Sequence, residues 1–99
     1  MAHFLGIESL TWDDWNLVHI TKHEVSPQEV IEVVFGAAIV IPTYKDRHQL
    51  VGLTSSGRVL SVVVGPVPGE PHTYYVFSAR PASRKERREF AQAQEGLLS

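Results

Sequence analysis

From Arg58 to Val64 the chain reads RVLSVVV, an apolar run broken by a single serine and closed by Gly65 and Pro66. Such a run has no polar face to turn toward water, so it reads as a central strand covered on both sides. Flanking segments supply its neighbours. HQLVGLT (48–54) reads as a strand joined to the run by an SSG turn. AAIVIP (37–42) is rich in branched residues and stops at a proline, and TYKDRH is polar turn material. TYYVFSA (73–79) is a further strand. It is set off by GPVPGEPH, which holds two glycines and three prolines in eight residues. This even strand–turn spacing predicts an antiparallel meander. FLGIESL (4–10) is compatible with a short first strand.

Helical spacing brackets the meander. Trp12, Trp15, Val18 or His19, and Lys22 recur at helical intervals and predict a helix over about 13–22, with Asp13 and Asp14 in its first turn. In VSPQEVIEVVF, Ser26 is the N-cap, Pro27 the first helical residue and Glu29 the partner of a capping box, with Val25 and Val30 as a hydrophobic staple. Val30, Ile31, Val33, Val34 and Phe35 form the expected buried face, and Gly36 ends the helix. After Pro81, Ser83 starts a third helix running to about Gln94. The expected class is α+β: a mostly antiparallel sheet of about four strands, preceded by two helices and closed by a C-terminal helix.

The 99 residues form one expected domain, small enough that a partner, or a second copy in a homodimer, would add stability. With no cysteine there is no disulfide and no thiolate nucleophile or ligand, which fits the cytoplasm. The longest apolar run is far short of a membrane span and no secretory leader is recognisable, so no membrane association is expected. The net charge of −2 conceals an asymmetry: residues 1–35 hold one cation and six acids, residues 36–99 eight cations and five acids. A polyanion partner would use that asymmetry; mutual neutralisation of the halves in the fold is the other reading.

The strongest local signal is FSARPASRKERREF (77–90), with five cations and two carboxylates. Arg84, Lys85, Arg87 and Arg88 fall in the first turns of the last helix, where the macrodipole disfavours positive charge by about 0.3–1 kcal/mol each. Helix stability therefore does not account for them, whereas a phosphate at a helix N-terminus, with Arg80 beside it, would. A solvated helix face is the plain alternative. Glu86 completes a Ser83 capping box; among arginines it is also a candidate general base. His19, Lys22 and His23 share a helical face. HITKH lacks the HExxH context and sets Lys against the second His, which disfavours zinc; proton transfer by a His/Lys pair and a solvated polar face both stay open. Arg47 precedes one strand and Arg58 opens the next, both weak signals.

Taken in order, W-D-x-x-N, K-H-x-V-S, an arginine at a strand start, S-S-G-R-x-L-x-V-V-V and S-A-R-x-A-S-x-x-E-R-x-x-F resemble the BrnT-type toxins of type II toxin–antitoxin systems, over about Trp12 to Phe90. The resemblance implies a fold similar to RelE-type toxins and a small metal-independent, cofactor-free endoribonuclease. It implies attack of an RNA 2′-OH on the adjacent phosphodiester, and neutralisation by a cognate DNA-binding antitoxin. It places functional residues at Lys22, His23, Arg47, Arg80 and Glu86. Arg58, Arg84, Lys85, Arg87 and Arg88 would then hold the RNA backbone. Three departures stand out: Glu24 replaces the Gly that follows K-H in that family, Phe90 replaces a Tyr, and GPVPGEPH replaces a shorter hairpin. The alternative is an inactive or attenuated interaction module on the same fold.

Overall fold

The computed structural model describes residues 5–98. The elements run β1 (Ser9–Thr11), α1 (Asp14–Thr21), α2 (Pro27–Val34), β2 (Ile39–Pro42), β3 (His48–Leu53), β4 (Val59–Pro66), β5 (Thr73–Pro81) and α3 (Arg84–Leu98). The sheet order is β1-β5-β4-β3-β2. The meander from β2 to β5 is antiparallel, as the spacing predicts. β1 adds a fifth strand, paired parallel to β5, so the sheet is mixed. Of the expected first strand, residue 4 lies outside the described residues and only Ser9 and Leu10 are extended.

β4 lies at the centre and alternates its side chains between two layers. Leu60, Val62 and Val64 are fully buried with Leu50, Val76 and Ala79 against Ile20 of α1 and Val30, Val33 and Val34 of α2. On the opposite face Val51, Ala82 and Phe90 form a second cluster, with Ile39, Ile41 and Val59 packed beside it. That cluster is α3's seat, and it covers only the β2–β3 side of the face. Val63 is left half-buried.

α2 begins as the sequence predicts. Ser26 N–H donates to Glu29 Oε1 (3.0 Å) and Glu29 N–H donates to Ser26 Oγ (3.2 Å). The buried face is narrower than expected: Val30, Val33 and Val34 are covered, while Ile31 and Phe35, rotated away from the sheet, are exposed. α1 departs further. Asp13 is its N-cap rather than a first-turn residue, in a reciprocal box with Asn16. Fully buried Asn16 also donates Nδ2–H to Thr11 O (2.9 Å), fastening β1 to α1. The buried face is therefore Asn16 and Ile20, and Trp15 and Val18 stand in solvent. The apolar spacing marked the wrong stripe because a hydrogen-bonded amide holds the inward position.

Two backbone features position the site. β5 carries a bulge: Val64 pairs with Val76 but Val63 with Ser78, so Phe77 is extra and the strand is re-aimed beyond it. Gly65 accommodates this, since a Cβ there would lie 2.8 Å from Phe77 Cε2. After α1 the chain reverses through Glu24 at φ +58°, a left-handed conformation that suits glycine. The conformation gives a physical reason for glycine at the position where the resembling family has it. A non-glycine residue there costs roughly 1–2 kcal/mol, partly offset by glycine's greater unfolded-state entropy. Glu24→Gly is expected to raise the thermal midpoint by roughly 3–6 °C in a calorimetric scan; a lowered midpoint contradicts the strain.

Candidate active site on the open sheet face

Arg80 projects from β5 on the same face as its cross-strand partner Ser61. Glu86 stands one turn into α3 and completes the Ser83 capping box: Ser83 N–H donates to Glu86 Oε1 (2.8 Å) and Glu86 N–H to Ser83 Oγ (3.2 Å). The same carboxylate takes both terminal nitrogens of Arg80, Nη1 to Oε1 at 2.8 Å and Nη2 to Oε2 at 2.9 Å. Gln49 of β3 donates Nε2–H to Oε2 (2.6 Å) and to Ser61 Oγ (2.8 Å). The Glu86 carboxylate thus accepts four hydrogen bonds, two from Arg80, one from Gln49 and one from the Ser83 backbone N–H. The Arg80 bonds above all, with those of Ser83 and Gln49, hold its carboxyl down at about 2 against the cost of burial.

This arrangement has a chemical consequence for Arg80. A guanidinium carries five N–H groups. Nη1 spends two on Glu86 and Pro81 O (3.2 Å), and Nη2 spends one on Glu86. The remaining N–H groups, on Nε and Nη2, form a second fork with no acceptor among the described residues. The side chain is 42 % exposed, against 15 % for Glu86. One edge of the guanidinium is fixed and the other is free, a geometry suited to bidentate contact with an oxyanion.

Arg47 lies across Phe77, its Cζ 3.7 Å from the ring centroid, and has no hydrogen-bonded acceptor among the described residues. Arg47, Phe77, Tyr75, Ser78, Val63 and Trp15 line an open cavity of about 630 Å³ on the part of the sheet that α3 leaves uncovered. Tyr75 Oη donates to Asp13 (2.9 and 3.0 Å), which ties α1 to β5; burial first, then that carboxylate, raises the phenol's pKa.

The other expected site residues are distributed differently. Lys22 and His23 lie just past the end of α1 and share no hydrogen bond with Arg80 or Glu86; His23 meets the edge of His19, whose ring stacks on Trp15 at 4.9 Å. Arg84, Lys85, Arg87 and Arg88 are exposed along the start of α3, and no described carboxylate lies within ion-pair distance of them. Arg58 is structurally engaged: Nη1 binds Glu29 (2.8 and 3.1 Å) and Glu24 O (2.9 Å), clipping β4 to the start of α2. Phe90 is buried beside Val51 and Ala82 in the apolar seat of α3. Sequence reasoning missed Gln49 and the aromatic residues of the cavity. Gln49 carried one signal, a lone polar residue inside the strand HQLVGL.

The site leaves a titration signature. The folded-state carboxyl of Glu86 sits near 2 against an ordinary 4.5, so its stabilising contribution is complete above about 4.5 and is lost as the pH falls toward 2. Glu86→Gln is expected to flatten the acid limb of the stability–pH curve in that window, measured by urea unfolding. An unchanged limb contradicts the assignment.

No protein-family model matches the chain, and no curated protein matches it. Among solved structures it is similar to the Brucella abortus ribonuclease toxin BrnT, with a TM-score of 0.60 and 26 % sequence identity, over 77 % of this chain and 97 % of that one. The chain has the fold of a BrnT-type ribonuclease toxin.

Proposed function

We propose that the protein is a toxin-like endoribonuclease that cuts RNA by attack of a 2′-OH on the adjacent phosphodiester, leaving a cyclic phosphate and a 5′-hydroxyl. The observation that carries this reading is the free Nε/Nη2 fork of Arg80, held outward by Glu86 on an uncovered sheet face. Arg80 binds the scissile phosphate and stabilises the charge that develops there, an electrostatic contribution of the kind that is usually the largest in such reactions. Arg47 supports it from the far side of Ser78. Glu86 holds Arg80 in place: with four donors on it and a pKa near 2, it is a weak proton acceptor. The proton transfers fall to His23, whose ring meets His19 beside Trp15, and to Lys22, which lines a cleft with Trp15 and His19. Arg84, Lys85, Arg87 and Arg88 hold the flanking backbone, which makes binding salt-dependent. Arg58 contributes to that field from its pair with Glu29. No metal or cofactor takes part in this scheme, and its setting is the cytoplasm. The similarity to a ribonuclease toxin supports an antitoxin partner, which would silence the protein by covering this basic face.

One pair of observations favours a second reading. Glu86 is fully engaged and Phe90 offers no hydroxyl, as a module that binds RNA without cutting it would show. The two readings separate on incubation of purified protein with RNA in EDTA. Cleavage is expected to persist and to fall at least about 100-fold in Arg80→Ala. His23→Ala is expected to slow it by about 10²-fold or more. Retained binding without cleavage at any protein concentration supports the module instead.

A further inference from the structure

Five side-chain rings meet in sequence from the exposed side of α1 onto the open face, where Trp15, Tyr75 and Phe77 line the cavity. His23 meets His19 edge-on (6.1 Å), His19 stacks on Trp15 (4.9 Å, 7° from parallel), Trp15 faces Tyr75 (6.5 Å, 32°), and Tyr75 meets the edge of Phe77 (5.0 Å). The Arg47 guanidinium caps the far end at 3.7 Å. Core packing does not require this array. Trp15 is 57 % exposed, in contrast to the buried aliphatic residues on the other side of the sheet. Nor is it an accident of one element: Trp15 comes from α1, Phe77 is the bulge residue, and Gly65 leaves the room its ring needs.

We infer that this array is a stacking track for unpaired bases, and that the substrate of the face is single-stranded RNA. The inference rests on the ribonuclease reading above and specifies its substrate. Aromatic and guanidinium planes offer every base a π-face, and cations beside them hold the backbone. Both parts are present. Rings and the Arg47 plane line the cavity, Arg80 with its free fork stands two residues beyond Ser78 on β5, and the cations at the start of α3 follow. The cavity floor, formed by Val63, Phe77 and Tyr75, carries no charge. Asp13 and Asp14 are the nearby acids. Asp13 is occupied by Tyr75 Oη and the α1 cap, and Asp14 lies on the His19 side of Trp15. A duplex keeps its bases stacked on one another and cannot use the rings; Ser78 Oγ, without a partner among the described residues, is available to a base edge.

The test uses the intact chain and a fluorescein-labelled 2′-O-methyl RNA oligomer, which cannot be cut by 2′-OH attack. Anisotropy gives affinity and tryptophan emission reports stacking. The single strand is expected to bind and quench emission, and the same strand annealed to its complement to bind at least 10-fold more weakly. Trp15→Ala is expected to weaken single-strand binding roughly 10-fold. Trp15→Phe, which keeps a ring, should recover most of it, and Trp12→Phe should leave the quenching in place. Equal affinity for single strand and duplex, or a Trp15→Ala variant that is folded by circular dichroism and binds like the wild type, overturns the inference. Neither result bears on whether natural RNA is cleaved in EDTA, so the two proposals fail separately.

Discussion

The carboxylate of Glu86 is where this structure is joined. It receives the α3 N-terminus through Ser83, β5 through Arg80 and β3 through Gln49, so one charged group fixes a helix to two strands of the sheet. Charge-assisted bonds of this kind are short and directional. They act where the helix start would otherwise be poorly placed, since its first turns carry four cations with no ion-pair partner among the described residues. From spacing alone Glu86 is a helix cap and, among arginines, also a candidate general base. In the folded chain the cap geometry is the means by which Arg80 is aimed. Removing the carboxylate therefore disturbs a helix terminus and an arginine together, and the two effects have to be separated by isosteric change.

A second constraint follows from where α3 sits. Val51, Ala82 and Phe90 give it a small apolar seat on the β2–β3 side, while α1 and α2 cover the opposite face of the sheet. The region of β4 and β5 around Val63, Phe77 and Ser78 is left open in consequence. The β5 bulge then brings an extra ring into that opening. The opening is thus set by the seat of α3, and the bulge and Gly65 place the Phe77 ring within it.

Much of this was legible in the chain itself. The Ser26/Glu29 and Ser83/Glu86 boxes, the central strand and the antiparallel order of the meander follow from local chemistry and period. The inward stripe of α1 did not, because it depends on Asn16 reaching Thr11 across a turn. The bulge at Phe77 escaped because alternation cannot reveal an extra residue inside TYYVFSA. Arg58 read as a strand-start cation for the RNA backbone; its partner Glu29 is 29 positions distant and only the fold brings them together. Gln49 was missed: its partners lie 12 and 37 residues away, so its polarity in an apolar strand had no visible purpose. Lys22 and His23 read as continuing the helical face of His19, but α1 stops at Thr21 and His23 meets the His19 ring from the turn beyond it, a contact that spacing could not foresee.

The central claim is that the outward edge of Arg80 is the phosphate site. The most direct measurement is a nuclear magnetic resonance titration of the labelled chain that follows the Arg80 Nε–H resonance as inorganic phosphate and then a dinucleotide are added. Saturable movement of that resonance, together with Ser78 and the first turn of α3, is the expected result. A resonance that stays fixed while signals move elsewhere, around the exposed Ile31 of α2 and Phe35 at its end, would contradict it.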